Sequence, residues 1–308
     1  MRYASIDIGT NTILMLIGEV DGASSIRPLK DLYSVPRIGK SVSKSRRLDQ
    51  ESISRAIDVL TNYRAVAESY SVDRIVASAT SAVRDAENRD DFIERVKETC
   101  GIEIEVIRGE TEARLGFLGA VSGDPDNSRT SLVIDIGGGS TEFSYGIGTE
   151  PGRVASIDIG AVRLTELFFK HNPPVAEELR EATEFVEISL KAFPFSEIRP
   201  DRVFGVAGTP TTIALIAQKK YEFEAAAVNN FRMSAEALRE VFDLLKTKTP
   251  SDIRKLTNAA EGREDVLLAG TLILVKALEA AGAREFLTTD RGLRYGYLLY
   301  KHTQMSGQ

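Results

Sequence analysis

Short apolar runs and longer apolar periodicities take turns along this chain. One apolar run ends at Asp7 and another at Asp135, and each is followed by a glycine-bearing turn and a second strand-like run, Ile13 to Val20 and Phe143 to Gly148. Ile53, Ile57, Leu60 and Ala67 recur at helical spacing behind Asp49, a candidate N-cap. Ile75 to Ala79 reads as a buried strand, Phe92, Ile93 and Val96 as a helix ending near Gly101, and the alternation of Ile102, Ile104 and Val106 as the next strand. A helix starts at Gly109. Further on the pattern gives strands at Gly152 to Asp158, Arg202 to Val206 and Phe286 to Thr288. Helices are expected over Val175 to Ala192, from Ile213, over Ala235 to Lys246 and Asp265 to Ala281, and in a last stretch to about Lys301. Hairpins followed by alternating helices and strands define an α/β protein.

The two hairpin turns carry the first chemistry. Leu132-Val-Ile-Asp-Ile-Gly-Gly-Gly-Ser-Thr-Glu142 runs from a strand straight into Gly137, Gly138 and Gly139, then Ser140, Thr141 and Glu142. Three glycines free the backbone to take positive φ and bring N–H groups to a phosphate, while a carboxylate reaches a cation. Tyr3-Ala-Ser-Ile-Asp-Ile-Gly-Thr-Asn-Thr12 repeats the logic with Asp7, Gly9, Thr10, Asn11 and Thr12. Two such hairpins argue for a duplicated architecture with a phosphate-binding turn in each half, facing across a cleft.

At 308 residues the chain is long enough for two domains of about 150 residues. The turn-rich Gly123-Asp-Pro-Asp-Asn-Ser128 marks the boundary, giving domains 1–124 and 125–308, with the last helix free to pack back on the first. A hydrophobic content of 43% and charged content of 27% fit a soluble protein, and no apolar run reaches the length of a membrane span. With no signal-peptide pattern, a cytoplasmic location is expected. One cysteine, Cys100, and two histidines, His171 and His302, exclude an internal disulfide and a Cys/His zinc cluster. Oxygen ligands remain, which suit Mg²⁺ or Mn²⁺. A net charge of −6 opposes nucleic-acid binding and leaves the attraction of an anionic substrate to a local patch. The segment with Arg27, Lys30, Arg37, Lys40, Lys44, Arg46 and Arg47, opposed by Asp31 alone, is such a patch; its ordinary reading is a solvated loop.

Other polar junctions add candidates. Thr80 to Asn88 reads as a polar loop with Arg84 at its centre. Glu110 and Glu112 lie in the first turn of one helix, about 200° apart around its axis, so only one faces a given cleft, and the other compensates the helix dipole. Arg163 stands near the start of a helix after Ile159-Gly-Ala. Gly208 and Thr209 open a third strand-to-helix junction, where free N–H groups suit an anion or the base-sugar part of a nucleotide.

In order along nearly the whole chain stand DIGTNT, TSAVRDAEN, GETEARL, DIGGGSTE, IGAVRLTE, GVAGTPTT and DRGLRYG. This ordered set resembles the exopolyphosphatase and guanosine-pentaphosphate phosphohydrolase (Ppx/GppA) family. The resemblance implies the actin-like ATPase fold, two ribonuclease-H-like domains flanking a central cleft, and Mg²⁺-dependent removal of the terminal phosphate of inorganic polyphosphate or of pppGpp. It places the catalytic glutamate at Glu112, the phosphate loops at Gly9 to Thr12 and Gly137 to Thr141, and the metal-binding aspartate at Asp135, with Asp7 and Glu142 as helpers. It also implies a homodimer. A phosphotransferase, a nucleotide sensor or a filament-forming protein of the same fold are the alternatives. The chain departs from the family at Leu14, where a basic residue is usual, and at Tyr295, within a motif that usually reads GLREG.

Overall fold

A strand that turns back on itself within four residues sits at the heart of each of two sheets. The computed structural model describes residues 1–21, 25–124, 126 and 128–306. It opens with β1 (Arg2–Ile8), β2 (Ile13–Asp21), β3 (Ser25–Ser34), α1 (Val42–Ser45), α2 (Gln50–Ser69), β4 (Arg74–Ala79), α3 (Ser81–Asp85), α4 (Arg89–Cys100), β5 (Ile104–Val106) and α5 (Gly109–Val121). There follow β6 (Thr130–Ile136), β7 (Thr141–Ile147), β8 (Glu150–Ile157), α6 (Ala161–Phe168), α7 (Ala176–Leu190), β9 (Arg202–Val206), α8 (Gly208–Ala217), α9 (Ala225–Val228), β10 (Phe231–Ser234), α10 (Ala235–Leu245), α11 (Pro250–Arg254), α12 (Leu267–Ala281), β11 (Glu285–Thr288) and α13 (Leu293–Ser306).

The chain forms two compact units, Met1–Pro125 with Arg291–Gln308, and Asp126–Asp290. The first sheet has the order β3-β2-β1-β4-β5 and the second β10-β11-β9-β6-β7-β8. In both, a three-stranded antiparallel meander is extended by parallel strands, β4 and β5 beside β1, and β9 and β11 beside β6. Even an irregularity recurs. The register slips at Ile17/Gly18 in the first meander and at Tyr145/Gly146 in the second.

Alternation along β1 sends Ile6 and Ile8 into a core with Ile53, Leu60, Phe92 and Val96. The opposite face carries Tyr3, which packs with Leu16 and with Tyr295, Leu298 and Leu299 of α13. Asp7 and its cross-strand partner Leu14 share that second face. Asp49 caps α2 by accepting the Ser52 N–H at 2.8 Å, and Gly101 ends α4 in the left-handed conformation. In the second unit Leu132, Ile134, Ile136 and Phe143 pack in one core with α12, whose residues 267–275 are all buried.

Three expectations change. The basic segment is not simply a solvated loop, because Arg27 and Lys30 lie on β3. That strand pairs with β2 alone and so tolerates charges along its edge. Two of its charges are matched, Arg27 by Glu19 and Asp31 by Arg294 at 2.7 Å. The stretch around Arg84 is not all loop but contains the short helix α3. The edge strand β10 was not foreseen, since Phe231-Arg-Met-Ser234 runs straight into the helix that Ser234 caps, with no turn residue between them.

Where α5 and α13 cross, their backbones touch. A Cβ on Gly119 would stand 2.0 Å from the Gly292 carbonyl oxygen, and one on Gly296 only 1.8 Å from that of Leu115. The glycines of the DRGLRYG stretch thus set the position of α5. Tyr295 between them is buried, its ring 4.9 Å from the Arg291 guanidinium and 5.2 Å from that of Arg294.

Candidate active site

The two turns are built alike, residue for residue. Ile8 pairs with Ile13 and Ile136 with Thr141, so residues 9–12 and 137–140 form the loops. Each closes by one bond, from the Gly9 N–H to the Thr12 carbonyl and from the Gly137 N–H to the Ser140 carbonyl, both at 3.0 Å. Asp7 and Asp135 hold the same place in the two strands. Opposite them stand Leu14 in the first hairpin and Glu142 in the second.

Neither Gly9 nor Gly137 takes the positive φ that the glycine-rich sequence suggested. What makes the turns unusual is where their carbonyls go. In the second, the Gly137 carbonyl accepts from Ala161 N–H at 2.9 Å, that of Gly138 from Val162 and Arg163 N–H at 2.9 and 3.0 Å, and that of Gly139 from Arg163 Nε at 2.8 Å. The first turn of α6 is therefore spent on the loop's acceptors. In the first, the Thr10 carbonyl accepts from Gly39 N–H at 2.8 Å and that of Asn11 from Arg37 N–H at 3.1 Å. Among the described residues, the amides of Thr10, Thr12, Gly138, Gly139 and Ser140 have no hydrogen-bond acceptor within the protein. With the carbonyls turned inward, each turn offers donors and little else, which is what an anion requires.

One glycine clamps each turn from outside. A Cβ on Gly160 would fall 2.4 Å from the backbone of Gly138, and one on Gly39 would fall 2.2 Å from Thr10 Cγ2. Both glycines escaped the sequence reading, which had no way to see that distant segments press on the turns.

The remaining candidates divide by what their side chains touch. Thr141 is buried and donates to the Ile159 carbonyl at 2.6 Å, so its hydroxyl fastens β7 to the segment before α6. Glu142 is 3% exposed and accepts from Ser156 Oγ at 2.6 Å. Arg163 holds Gly139. Thr209 is buried with its side chain against Gly270, and so has its N–H rather than its hydroxyl to offer a ligand. The α8 N-terminus has two further features. Ala207 before it sits at φ 74°, a costly conformation for a residue with a Cβ, and the Arg263 guanidinium fills the space where a Gly208 side chain would be. Arg263 was not foreseen; within Glu261-Gly-Arg-Glu-Asp265 nothing separates it from an ordinary polar turn.

Arg84 and Glu112 come together. Arg84 Nη1 donates to Glu112 Oε2 at 2.9 Å and to the Ile107 carbonyl at 3.1 Å, linking α3 to the first turn of α5. Both side chains are largely withdrawn from solvent, at 21% and 12% exposure. Glu110, by contrast, is exposed.

Among the described residues no three His, Cys, Asp or Glu side chains converge as a metal cage. A site of this kind fits Mg²⁺ nonetheless, because that ion keeps waters and takes one or two carboxylates plus the phosphate oxygens of a substrate. Half-buried Asp135, at the end of β6 beside donor-rich Gly138 to Ser140, offers such a carboxylate. No described helix is long and apolar enough to cross a membrane.

A duplicated α/β sheet whose matching hairpins both present backbone donors is suited to anionic, phosphate-type ligands. Comparison with known proteins places it further. The Ppx/GppA phosphatase family model matches residues 16–304. Exopolyphosphatase 2 of Mycobacterium tuberculosis is 34% identical, the match covering 97% of this chain and 98% of that protein. A bifunctional 3-dehydroquinate synthase/phosphatase of Fusobacterium nucleatum is 33% identical over 96% of this chain, which spans only 46% of that longer protein. Among solved structures, a Ppx/GppA family member of Aquifex aeolicus superposes with a TM-score of 0.82 at 33% identity, covering 99% of this chain and 98% of that one. The chain belongs to the Ppx/GppA phosphatase family, and with it to the phosphoanhydride hydrolases of the actin-like ATPase fold.

Proposed function

We propose that this protein is an exopolyphosphatase that removes the terminal phosphate of inorganic polyphosphate, favours short chains, and accepts pppGpp less readily. The observation that carries the reading is the duplicated turn with its carbonyls bonded inward and its amides left as donors. A polyphosphate presents a row of anionic oxygens with no base or sugar, and backbone N–H groups recognise that repeat without selecting a particular end group. Exopolyphosphatase relatives over nearly the full length support the same substrate.

Cleavage needs in-line attack by water on the terminal phosphorus, neutralisation of the phosphate oxygens, and a group that takes the proton of the water. Glu112, on the helix fixed by the glycine crossing with α13, is assigned to the proton. As the new oxygen–phosphorus bond forms, the anhydride bond breaks and its electron pair leaves with the shortened chain. In the first unit the amides of residues 10 and 12, with Arg84 as a side-chain clamp, and in the second the amides of residues 138–140, are each assigned to charge on phosphate oxygens. Asp135 would hold Mg²⁺, with Asp7 and Glu142 as helpers; that ion supplies further charge neutralisation at the phosphates.

The test is phosphate release from short polyphosphate, long polyphosphate and pppGpp, with ATP plus candidate acceptors as a control for phosphotransfer. Release from short polyphosphate at the highest kcat/KM is expected. Activity confined to transfer from ATP would replace the reading with a phosphotransferase.

A further inference from the structure

Glu112 is assigned the role of base, yet it is tied to an arginine. A carboxylate oxygen that accepts a charge-assisted hydrogen bond at 2.9 Å from a guanidinium is engaged by that bond and is not aimed at a water. Arg84 meanwhile is the side chain assigned to a substrate phosphate. One guanidinium is claimed by two anions, the enzyme's own carboxylate and the substrate. We infer that the Arg84–Glu112 pair is a substrate-released lock. In the absence of substrate, Glu112 occupies Arg84 and has that oxygen engaged. A terminal phosphate draws the guanidinium away, and the Glu112 oxygen is released only when there is a phosphorus for its water to attack. The Ile107 carbonyl, which accepts from the same Nη1 at 3.1 Å, limits how far the guanidinium can swing and keeps Arg84 near α5 through the exchange.

This inference rests on the proposed function for the identity of the anion, but the lock can be tested by binding alone. If Glu112 competes with phosphate for Arg84, removing its charge strengthens anion binding, although the same change slows catalysis. The experiment is calorimetric titration of the full chain with inorganic tripolyphosphate in wild type, Glu112→Gln, Arg84→Gln and the double variant, each checked for an unchanged circular dichroism spectrum and melting temperature. The expected result is tripolyphosphate bound about fivefold to tenfold more tightly by Glu112→Gln and at least tenfold more weakly by Arg84→Gln, with no tightening from Glu112→Gln once Arg84 is gone. Equal tightening in both backgrounds would mean that Glu112 merely repels anions, and the lock would be overturned; so would unchanged binding in Glu112→Gln. Should Arg84→Gln unfold, Arg84→Lys replaces it, with a reduced rather than abolished coupling expected. Phosphate release by wild type is scored separately, so a failed hydrolase assay with an intact coupling rejects the function and keeps the lock, and the converse holds.

Discussion

The two units carry the same turn and differ in what surrounds it. Asp7 and Asp135, Gly9 and Gly137, Thr12 and Ser140 hold equivalent positions, and both loops close with the same 3.0 Å bond. Both turn their carbonyls onto a later segment under the pressure of a glycine, Gly39 in one case and Gly160 in the other. The surroundings have then diverged. The first unit places hydrophobic Leu14 opposite its aspartate and has the Arg84–Glu112 pair on neighbouring helices. The second places Glu142 opposite Asp135 and roofs its loop with the N-terminus of α6. On the proposed reading the grip on phosphate is present in both units, proton transfer falls to Glu112 in the first, and the second has the stronger concentration of turn-side carboxylates.

That division is broken most severely at Glu112. Glu112→Gln keeps the size of the side chain and removes its ability to accept a proton, so kcat on short polyphosphate should fall about 10²- to 10⁴-fold. The melting temperature should stay within a few degrees of wild type. Activity within threefold of wild type would move the base elsewhere. Next in size comes Asp135→Asn. It should raise the Mg²⁺ concentration for half-maximal activity about tenfold or more and leave the fold intact, whereas Asp7→Asn, at the equivalent place in the other unit, should have a smaller effect. Equal shifts in the two variants would show that the division of labour between the units is wrong.

The clamps test the comparison through packing. A Cβ at Gly160 meets backbone atoms of Gly138, which have nowhere to go, while one at Gly39 meets first the methyl group of Thr10. Both alanine variants should lose stability, on the order of 1–3 kcal/mol. Thr10→Ser removes that methyl group and should restore part of the loss in Gly39→Ala. No equivalent trimming is open to Gly160→Ala, because Gly138 has no side chain. Thermal denaturation of the four proteins gives the answer, and an absence of rescue by Thr10→Ser would mean that the clash at Gly39 is with Ala82 instead.

Much of this organisation was legible along the chain. Both hairpins, the capping of α2 by Asp49 and the strands at β4, β5 and β9 follow from period and turn chemistry, which are local properties. What the sequence offers of the candidate site is likewise local: Asp135 and the glycine run form one stretch, and Glu112 sits in a helix start. What stayed hidden depends on segments far apart in sequence. The inward bonding of the loop carbonyls needs Arg37, Gly39 and the first turn of α6. The approach of Arg263 to Gly208 joins residues from either side of β10 and α10, and the Arg84–Glu112 contact joins α3 to α5. The glycine run misled in one respect. Gly137, Gly138 and Gly139 all keep negative or extended φ, and the missing Cβ that matters at the turn is that of Gly160, which lets it press on the Gly138 backbone.

The finest expected effect sits where the two hairpins differ most plainly. Leu14 faces across the strand pair from Asp7, as Glu142 does from Asp135, and is half-buried two residues beyond the first turn. A basic side chain there would add a charge-assisted contact to a terminal phosphate. Polyphosphate offers many equivalent phosphates to the contacts that remain, so it loses little without one, whereas pppGpp presents a single triphosphate in one register and depends on each. Wild type should therefore prefer short polyphosphate. Leu14→Arg should raise kcat/KM for pppGpp relative to polyphosphate by about threefold to tenfold, since a partly exposed charge contact contributes on the order of 1 kcal/mol. Measuring kcat/KM for both substrates in both proteins decides it. A tenfold wild-type preference for pppGpp would defeat the argument from missing charge, and an unchanged ratio in Leu14→Arg would show that position 14 makes no contact with the phosphates.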